Sequence, residues 1–236
     1  MRLSKASIIL CLFLILTSGA AFAQQDYVGR YDVYGGFSFL STPKLNLFER
    51  GFHGQGGFNL NRWLALGFDF STFDGHSSLF PVQLNTETQA KLAPAMAALI
   101  AAGKVPPGYT LYVPYNVRTY TYAAGPQLNY RHFKQVTFFI HPSLGAMHQD
   151  TSARPNDLIQ TVIVGGLLGK SMKTSDTVMF YGIGGGIDLN VHKNVSIKLH
   201  TDFVHTKLYS DLLAGGENNV RFSVGPVFHF GKNVAK

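Results

Sequence analysis

Ten side chains in this sequence could do chemistry together if a fold gathered them: Asp32, Asp69, Asp188, Asp202, Lys198, Arg221, His53, His141, His200 and His229. Carboxylates beside imidazoles serve general acid–base catalysis, and the same pair can ligate a transition metal. No His-x3-His or similar ligand spacing occurs, however, so neither a metal nor another cofactor is expected. His141-Pro142-Ser143 puts a hydroxyl next to a base, but such a pair needs an acid to orient the histidine, and only Asp150 and Asp157 follow shortly. All ten groups sit in rows of polar or small residues that alternate with apolar ones. That pattern favours a structural role: strands turn these groups to one side, where the carboxylates pair with Lys198 and Arg221 because unpaired buried ions are costly.

The elements that position them are strands. Period-two alternation runs through eight stretches, beginning near Tyr31, Phe52, Leu64, Thr119, Val136, Met179, Val195 and Val220. In the third, Leu64, Leu66, Phe68 and Phe70 oppose Ala65, Gly67, Asp69 and Ser71; in the seventh, Val195, Ile197, Leu199 and Phe203 oppose Ser196, Lys198, His200 and Asp202. Each stretch spans about 9–12 residues, the length of a tilted strand that crosses a bilayer. Connections alternate between short (Asn61-Arg62, Arg131 to Lys134, Val191 to Asn194) and long (Leu40 to Glu49, Thr72 to Asn116, His148 to Asp176, Ser210 to Glu217). A pattern of Gly, two residues, an apolar residue and Asn recurs as GFNLN, GPQLN and GIDLN where strands approach the short turns; its glycine is expected to face a crowded interior and its asparagine to enter the turn. Pro126, Pro142 and Pro226 conflict with unbroken strands and imply bulges or bends.

Charged residues are only 14% of the chain, well under the usual quarter. Net charge is +7 without any Lys/Arg cluster, which argues against nucleic acid as a partner. The first 23 residues have the form of a secretory signal: a short basic start, the apolar run Ile8 to Thr17, and small residues leading to cleavage after Ala23. The sole cysteine, Cys11, lies inside that run, so the remaining 24–236 domain has no thiol chemistry. Beyond Ala23 no apolar stretch is long enough for a membrane helix.

An even number of strands, tight turns at one end and long loops at the other describe an eight-stranded antiparallel up-and-down transmembrane β-barrel, all-β, with short periplasmic turns and long extracellular loops. A soluble barrel would turn its apolar row inward. Here that row carries no central charge, and aromatics gather at its ends: Phe39, Phe52, Phe70, Tyr120 and Phe203 toward the loops, Tyr31, Tyr130 and Phe230 toward the turns. The last strand, Ser223-Val224-Gly225-Pro226-Val227-Phe228-His229-Phe230, resembles the C-terminal assembly signal of bacterial outer-membrane barrels, carried by Ser223, Gly225, Phe228 and Phe230. Gly231 to Lys236 follow where many members of that family end on the aromatic residue. With the eight-strand plan, the chain resembles the small OmpA-barrel-like superfamily. The resemblance implies the bacterial outer membrane, a lipid bilayer environment, recognition by barrel-insertion machinery, and no enzymatic activity.

The second long loop carries a predicted short helix, 86–103, with Thr86 and Gln89 as a capping box, Leu92, Met96, Leu99 and Ile100 on one face, Pro94 weakening its middle and Gly103 ending it. Its apolar face implies burial over the barrel mouth, contact with headgroups, or an unidentified loop partner. The expected function is structural or surface-interacting, through the loops. Two alternatives stay open: a narrow small-solute pore, and a lipid-modifying enzyme, since His141-Pro142-Ser143 resembles the His-x-Ser pair of outer-membrane lipid A deacylases.

Overall fold

The computed structural model describes residues 25–235. The signal segment and its Ala23 cleavage point therefore lie outside the described residues. Eight strands close into one antiparallel barrel in sequence order: β1 (Tyr31–Thr42), β2 (Leu47–Asn59), β3 (Leu64–Leu79), β4 (Val113–Tyr130), β5 (Val136–Ala153), β6 (Lys173–His192), β7 (Val195–Thr206) and β8 (Glu217–Phe230). Closure comes from β1 pairing with β8, Tyr31 opposite Phe230. Every backbone edge is thereby used, as a closed barrel requires.

The alternation predicts the faces but not the strand lengths. β4 and β5 run 18 residues and β6 runs 20. A 20-residue strand spans roughly 65 Å, while a hydrocarbon core is only about 30 Å thick. The excess projects at the long-loop end, and there the polarity of the wall inverts. Lower on β3 to β6, Phe68, Leu128, Ile140 and Ile183 face outward and are exposed, while Asp69, Asn129 and His141 are buried inside. Higher up, Asp74, Arg118, Asp150 and Lys173 take the outside, and Phe73, Tyr115, Val117 and Met147 are buried. Asp74 and Arg118 lie opposite one another on β3 and β4, where Arg118 Nε donates to Asp74 Oδ1 at 2.7 Å. The connections are correspondingly shorter than the sequence suggests, because the loop ends of the predicted strands continue as sheet.

The three prolines cause neither a bulge nor a change of register. Ala124 pairs with Leu144 and Leu128 with Ile140. Between those pairs the ladder is interrupted, and the unchanged register sets Pro126 directly opposite Pro142. One gap thus absorbs both missing N–H groups. Pro226 falls likewise in the gap between the Tyr34–Val227 and Phe37–Val224 pairs of β1 and β8, across from Gly35. Gly125 is required at the first gap: a Cβ there would land on the Pro142 carbonyl oxygen, a backbone atom that cannot yield. Gly125→Ala is expected to destabilise the barrel by about 1–3 kcal/mol through overpacking. A urea midpoint equal to that of the parent protein would show that the strands can part there.

The recurrent Gly-x-x-apolar-Asn segments end β2, β4 and β6. Only Asn61 occupies a turn, its Oδ1 accepting from the backbone N–H groups of Trp63 and Leu64. Asn129 and Asn190 remain in their strands, the first among the buried groups of the lumen. Their register keeps them on the inward row, where they bond neighbouring side chains or the adjacent turn.

Helix α1 spans Thr86–Ala101. Its cap is Asn85, whose side chain accepts from Thr88 N, and the capping box predicted from Thr86 and Gln89 is replaced by a Gln89 side chain that donates to the Leu84 carbonyl. It ends in a Schellman turn: Gly103 (φ 66°) donates to Ile100 and Lys104 to Leu99. A second helix, α2 (Leu158–Leu168), lies in the β5–β6 connection and is capped by the Asp157 side chain, which accepts from Gln160 N.

Candidate functional site: packed lumen and capped mouth

Alternation turns the polar row inward, and barrel closure brings side chains from opposite walls together. Arg221 of β8 is the central cation. It donates through Nε to Asp202 (2.7 Å) and through Nη1 to Asp69 (3.2 Å) and Ser71 (2.7 Å), linking β8 to β7 and to β3 across the lumen. His53 lies 3.7 Å from Asp69, and His200 lies 3.0 Å from Asp202. Lys198 sits 3.8 Å from Asp188, donates to Gln55 (3.1 Å) and rests 4.2 Å from the centre of the Phe139 ring. Nearer the short turns, His229 and Asp32 share a 2.7 Å hydrogen bond, and Asn59 donates to the same carboxylate. The ten sequence-selected groups thus fall into a central cluster around Arg221 and a turn-side cluster around Asp32, joined by Lys198 and Asp188.

Several members escape the sequence reasoning. Arg131, assigned to a turn, is buried and folds back: its Nη1 donates to the Arg62 carbonyl while Arg62 donates to the Arg131 carbonyl. Gln55, Asn59, Gln127 and Asn129 extend the polar filling, and a buried Glu49 accepts from Thr119 (2.7 Å) toward the long-loop end. Their inward register was the available signal; being neutral, or near a predicted loop, they did not stand out.

His141, His200 and Asp202 bring one ligand atom each to within 4.8 Å of one another. Sequence spacing did not show this, because His141 and Asp202 belong to non-adjacent strands. Gly184 of β6 pairs with both, and its missing Cβ leaves the room in which they meet. Neither nitrogen of His141 has a hydrogen-bond partner among the described residues. Arg221 holds Asp202 through Oδ2, which leaves Oδ1 beside His200 without a hydrogen-bond partner among the described residues but sets a guanidinium cation next to the place a metal ion would take. Ser143 is buried in the same lumen, whereas Asp150 points outward beside His148 and Asp157 caps α2, so neither acid reaches His141.

At the other end the loops fold onto the mouth. Leu84 and Leu213 form a bridge between the β3–β4 and β7–β8 connections, reinforced by Asn85 N to Leu212 O (2.9 Å) and Ala214 N to Gln83 O (3.1 Å). Tyr209 has a left-handed backbone (φ 51°), unfavourable for an aromatic residue. It is held there by its N–H donating to Asp176 Oδ2 (2.6 Å) and its hydroxyl donating to the Gln149 carbonyl (2.7 Å). Burial keeps that hydroxyl protonated, its pKa well above the ordinary tyrosine value. Leu45, Leu84, Leu92, Ile163 and Leu213 close over Tyr115, Val117 and Met147 to form an apolar core within the outer rim.

The chain matches no protein-family model and no curated protein. Solved structures similar to it include Ail, the attachment invasion locus protein of Yersinia pestis, in complex with the heparin analogue sucrose octasulfate (16% identity, 85% of this chain and 99% of that one, TM-score 0.47). Neisserial surface protein A is another (11%, 85% and 96%, TM-score 0.47), as is the outer membrane protein OprG from Pseudomonas aeruginosa (7%, 89% and 99%, TM-score 0.46).

Proposed function

We propose that this protein is a non-enzymatic bacterial outer-membrane barrel, plugged by its own side chains, whose capped long-loop end is a surface for interaction outside the cell. The observation that carries this is the inversion of wall polarity partway along single strands. Below the inversion the outside is apolar and the inside ionic, which suits hydrocarbon around a filled lumen. Above it, on β3 to β6, the outside carries charge and the inside gathers Phe73, Tyr115, Val117 and Met147, which suits water around a core. A barrel wholly in water would gain nothing from Phe68, Ile140, Ile183 and Phe203 on its exterior, each more than half exposed. Tyr31, Trp63, Tyr130 and Phe230, exposed near the short turns, then mark the periplasmic-side interface of the outer membrane.

The ion-paired lumen supports a plug more than a conduit, because an eight-stranded interior is filled by its side chains. Planar bilayers containing the pure protein are expected to show no discrete conductance steps; steps that vanish when the protein is digested would establish a pore. Export by the predicted signal with cleavage after Ala23, and recognition of Ser223, Gly225, Phe228 and Phe230 by the insertion machinery, complete the proposal. Phe228 and Phe230 lie on the outer face of the closing strand, where an assembly factor could reach them. Phe230→Ala is expected to slow the appearance of heat-modifiable protein in pulse-labelled cells, and unchanged kinetics would remove the assembly role. Protease added to intact cells should cut the 154–172 or 207–216 connections; full resistance together with fractionation as soluble protein would defeat the membrane placement.

A further inference from the structure

The loop cap shapes a partly open cavity of about 110 Å³. Its walls come from four separate connections: Leu45 after β1, Leu84 and Leu92 after β3, Ile163 of α2, and Leu213 before β8. We propose that this cavity is a binding site for one small apolar molecule, such as a monocyclic aromatic or a short branched hydrocarbon.

Three observations lead there. The first is size. Protein interiors contain few voids larger than a water molecule, whereas an apolar cavity of about 150 Å³ stays dry and takes up benzene. The second is chemistry. A buried water needs two to four polar partners, and the lining leaves only the Tyr115 hydroxyl without a partner among the described residues, while the polar groups around Tyr209 are committed to one another. Tyr209 Oη donates to the Gln149 carbonyl and pairs with Thr151 Oγ1 (2.8 Å), and Gln149 Nε2 donates to Thr119 Oγ1 (2.7 Å). The third is that the walls are braced apart. The Leu84–Leu213 bridge fixes one side. Tyr109 donates to Asp157 Oδ2 at the start of α2 (2.8 Å), and the left-handed Tyr209 is clamped by Asp176 on another side. Collapse onto the void would break these bonds. Phe80 lines the cavity yet is 42% exposed, which gives an entry from the outside.

The site gives a ligand class to the loop cap and rests on the cap being the functional end of the molecule. Its test does not depend on cell-surface exposure, so either can fail alone. Toluene is titrated into the full chain, methyl-labelled and held in lipid nanodiscs. Methyl resonances of Leu84, Leu92, Ile163 and Leu213 are expected to shift and saturate. Those of Ile140 and Ile183 on the outer wall should only drift in proportion to toluene in the lipid. Ile163→Trp and Leu213→Phe each fill the space; both should retain heat-modifiable migration and bind toluene at least about tenfold more weakly, a difference well within what affinity measurements resolve. Non-saturating shifts at the four cavity residues would overturn the site. So would saturable shifts that persist unchanged in whichever filled variant folds.

Discussion

Arg221→Leu is expected to lower the stability of the barrel by about 3–5 kcal/mol, the usual cost of removing one partner from a buried ion network. Arg221 is 3% exposed and is the cation in contact with both Asp69 and Asp202, which are 0% and 1% exposed. Without it, two carboxylates remain in a closed lumen beside His53, His141 and His200, with no cation of fixed charge in contact among the described residues. The opposite deletion should be milder. Asp202→Asn leaves Arg221 paired with Asp69 and hydrogen-bonded to Ser71. Combining Asp202→Asn with Arg221→Leu should recover part of the loss, because fewer charges are stranded. Urea unfolding in lipid vesicles, read by the shift between folded and unfolded gel migration, gives the three values. Equal midpoints for Arg221→Leu and the parent protein would show that water or another cation serves the carboxylates.

A charge placed on the outer wall should be nearly as damaging at the right depth and harmless above it. Phe68→Arg puts a guanidinium midway along the apolar row of β3, between Leu66 and Phe70, at an expected cost of about 2–4 kcal/mol. Ile140→Lys repeats the test on β5, on the far side of β4. Arg118 shows the contrast. It already stands on the outer wall of β4, paired with Asp74 at the exposed end. Removing it with Arg118→Leu should leave the urea midpoint essentially where it is, as solvent-screened surface ion pairs contribute little. A depth profile of this kind separates lipid from water as the surrounding medium. If Phe68→Arg proves neutral, the lower wall faces water.

These two effects also show which parts of the fold the sequence carries openly. The side to which Asp69, Asp202 and Arg221 point is written in the alternation with Phe68, Phe203 and Phe222, since a strand gives its neighbours no choice of face. That the three meet is not written there. Arg221 and Asp69 stand 152 positions apart and touch only because the barrel closes. Strand length was legible only where the apolar residues look outward. Beyond Thr72 the alternation persists through Phe73, Asp74 and Gly75 with its sign reversed, and a rule tuned to outward apolar residues reads that reversal as the start of a loop.

Helix α2 was hidden for another reason. Its sequence LIQTVIVGGLL has little polar face, several β-branched residues and two glycines, so local preference favours a strand or a loop. Burial of Ile159, Ile163 and Val164 over the barrel mouth decides otherwise, with Asp157 marking the start. α1 was visible because Leu92 and Leu99 keep helical spacing and Gly103 closes it, while its true cap, Asn85, lay one residue before the predicted one. The prolines could not be resolved strand by strand. Pro126 and Pro142 are accommodated as a facing pair that shares one gap in the ladder, and register is a property of two strands.

The most direct test is the environment of single nitroxide labels on the outer wall. Labels replacing Phe68, Ile140 and Leu199 in the bilayer-reconstituted barrel should collide more often with dissolved oxygen than with a water-soluble nickel complex. A label replacing Asp74, further up the same wall, should show the reverse preference. Nickel accessibility equal at all four positions would mean that water surrounds the whole barrel.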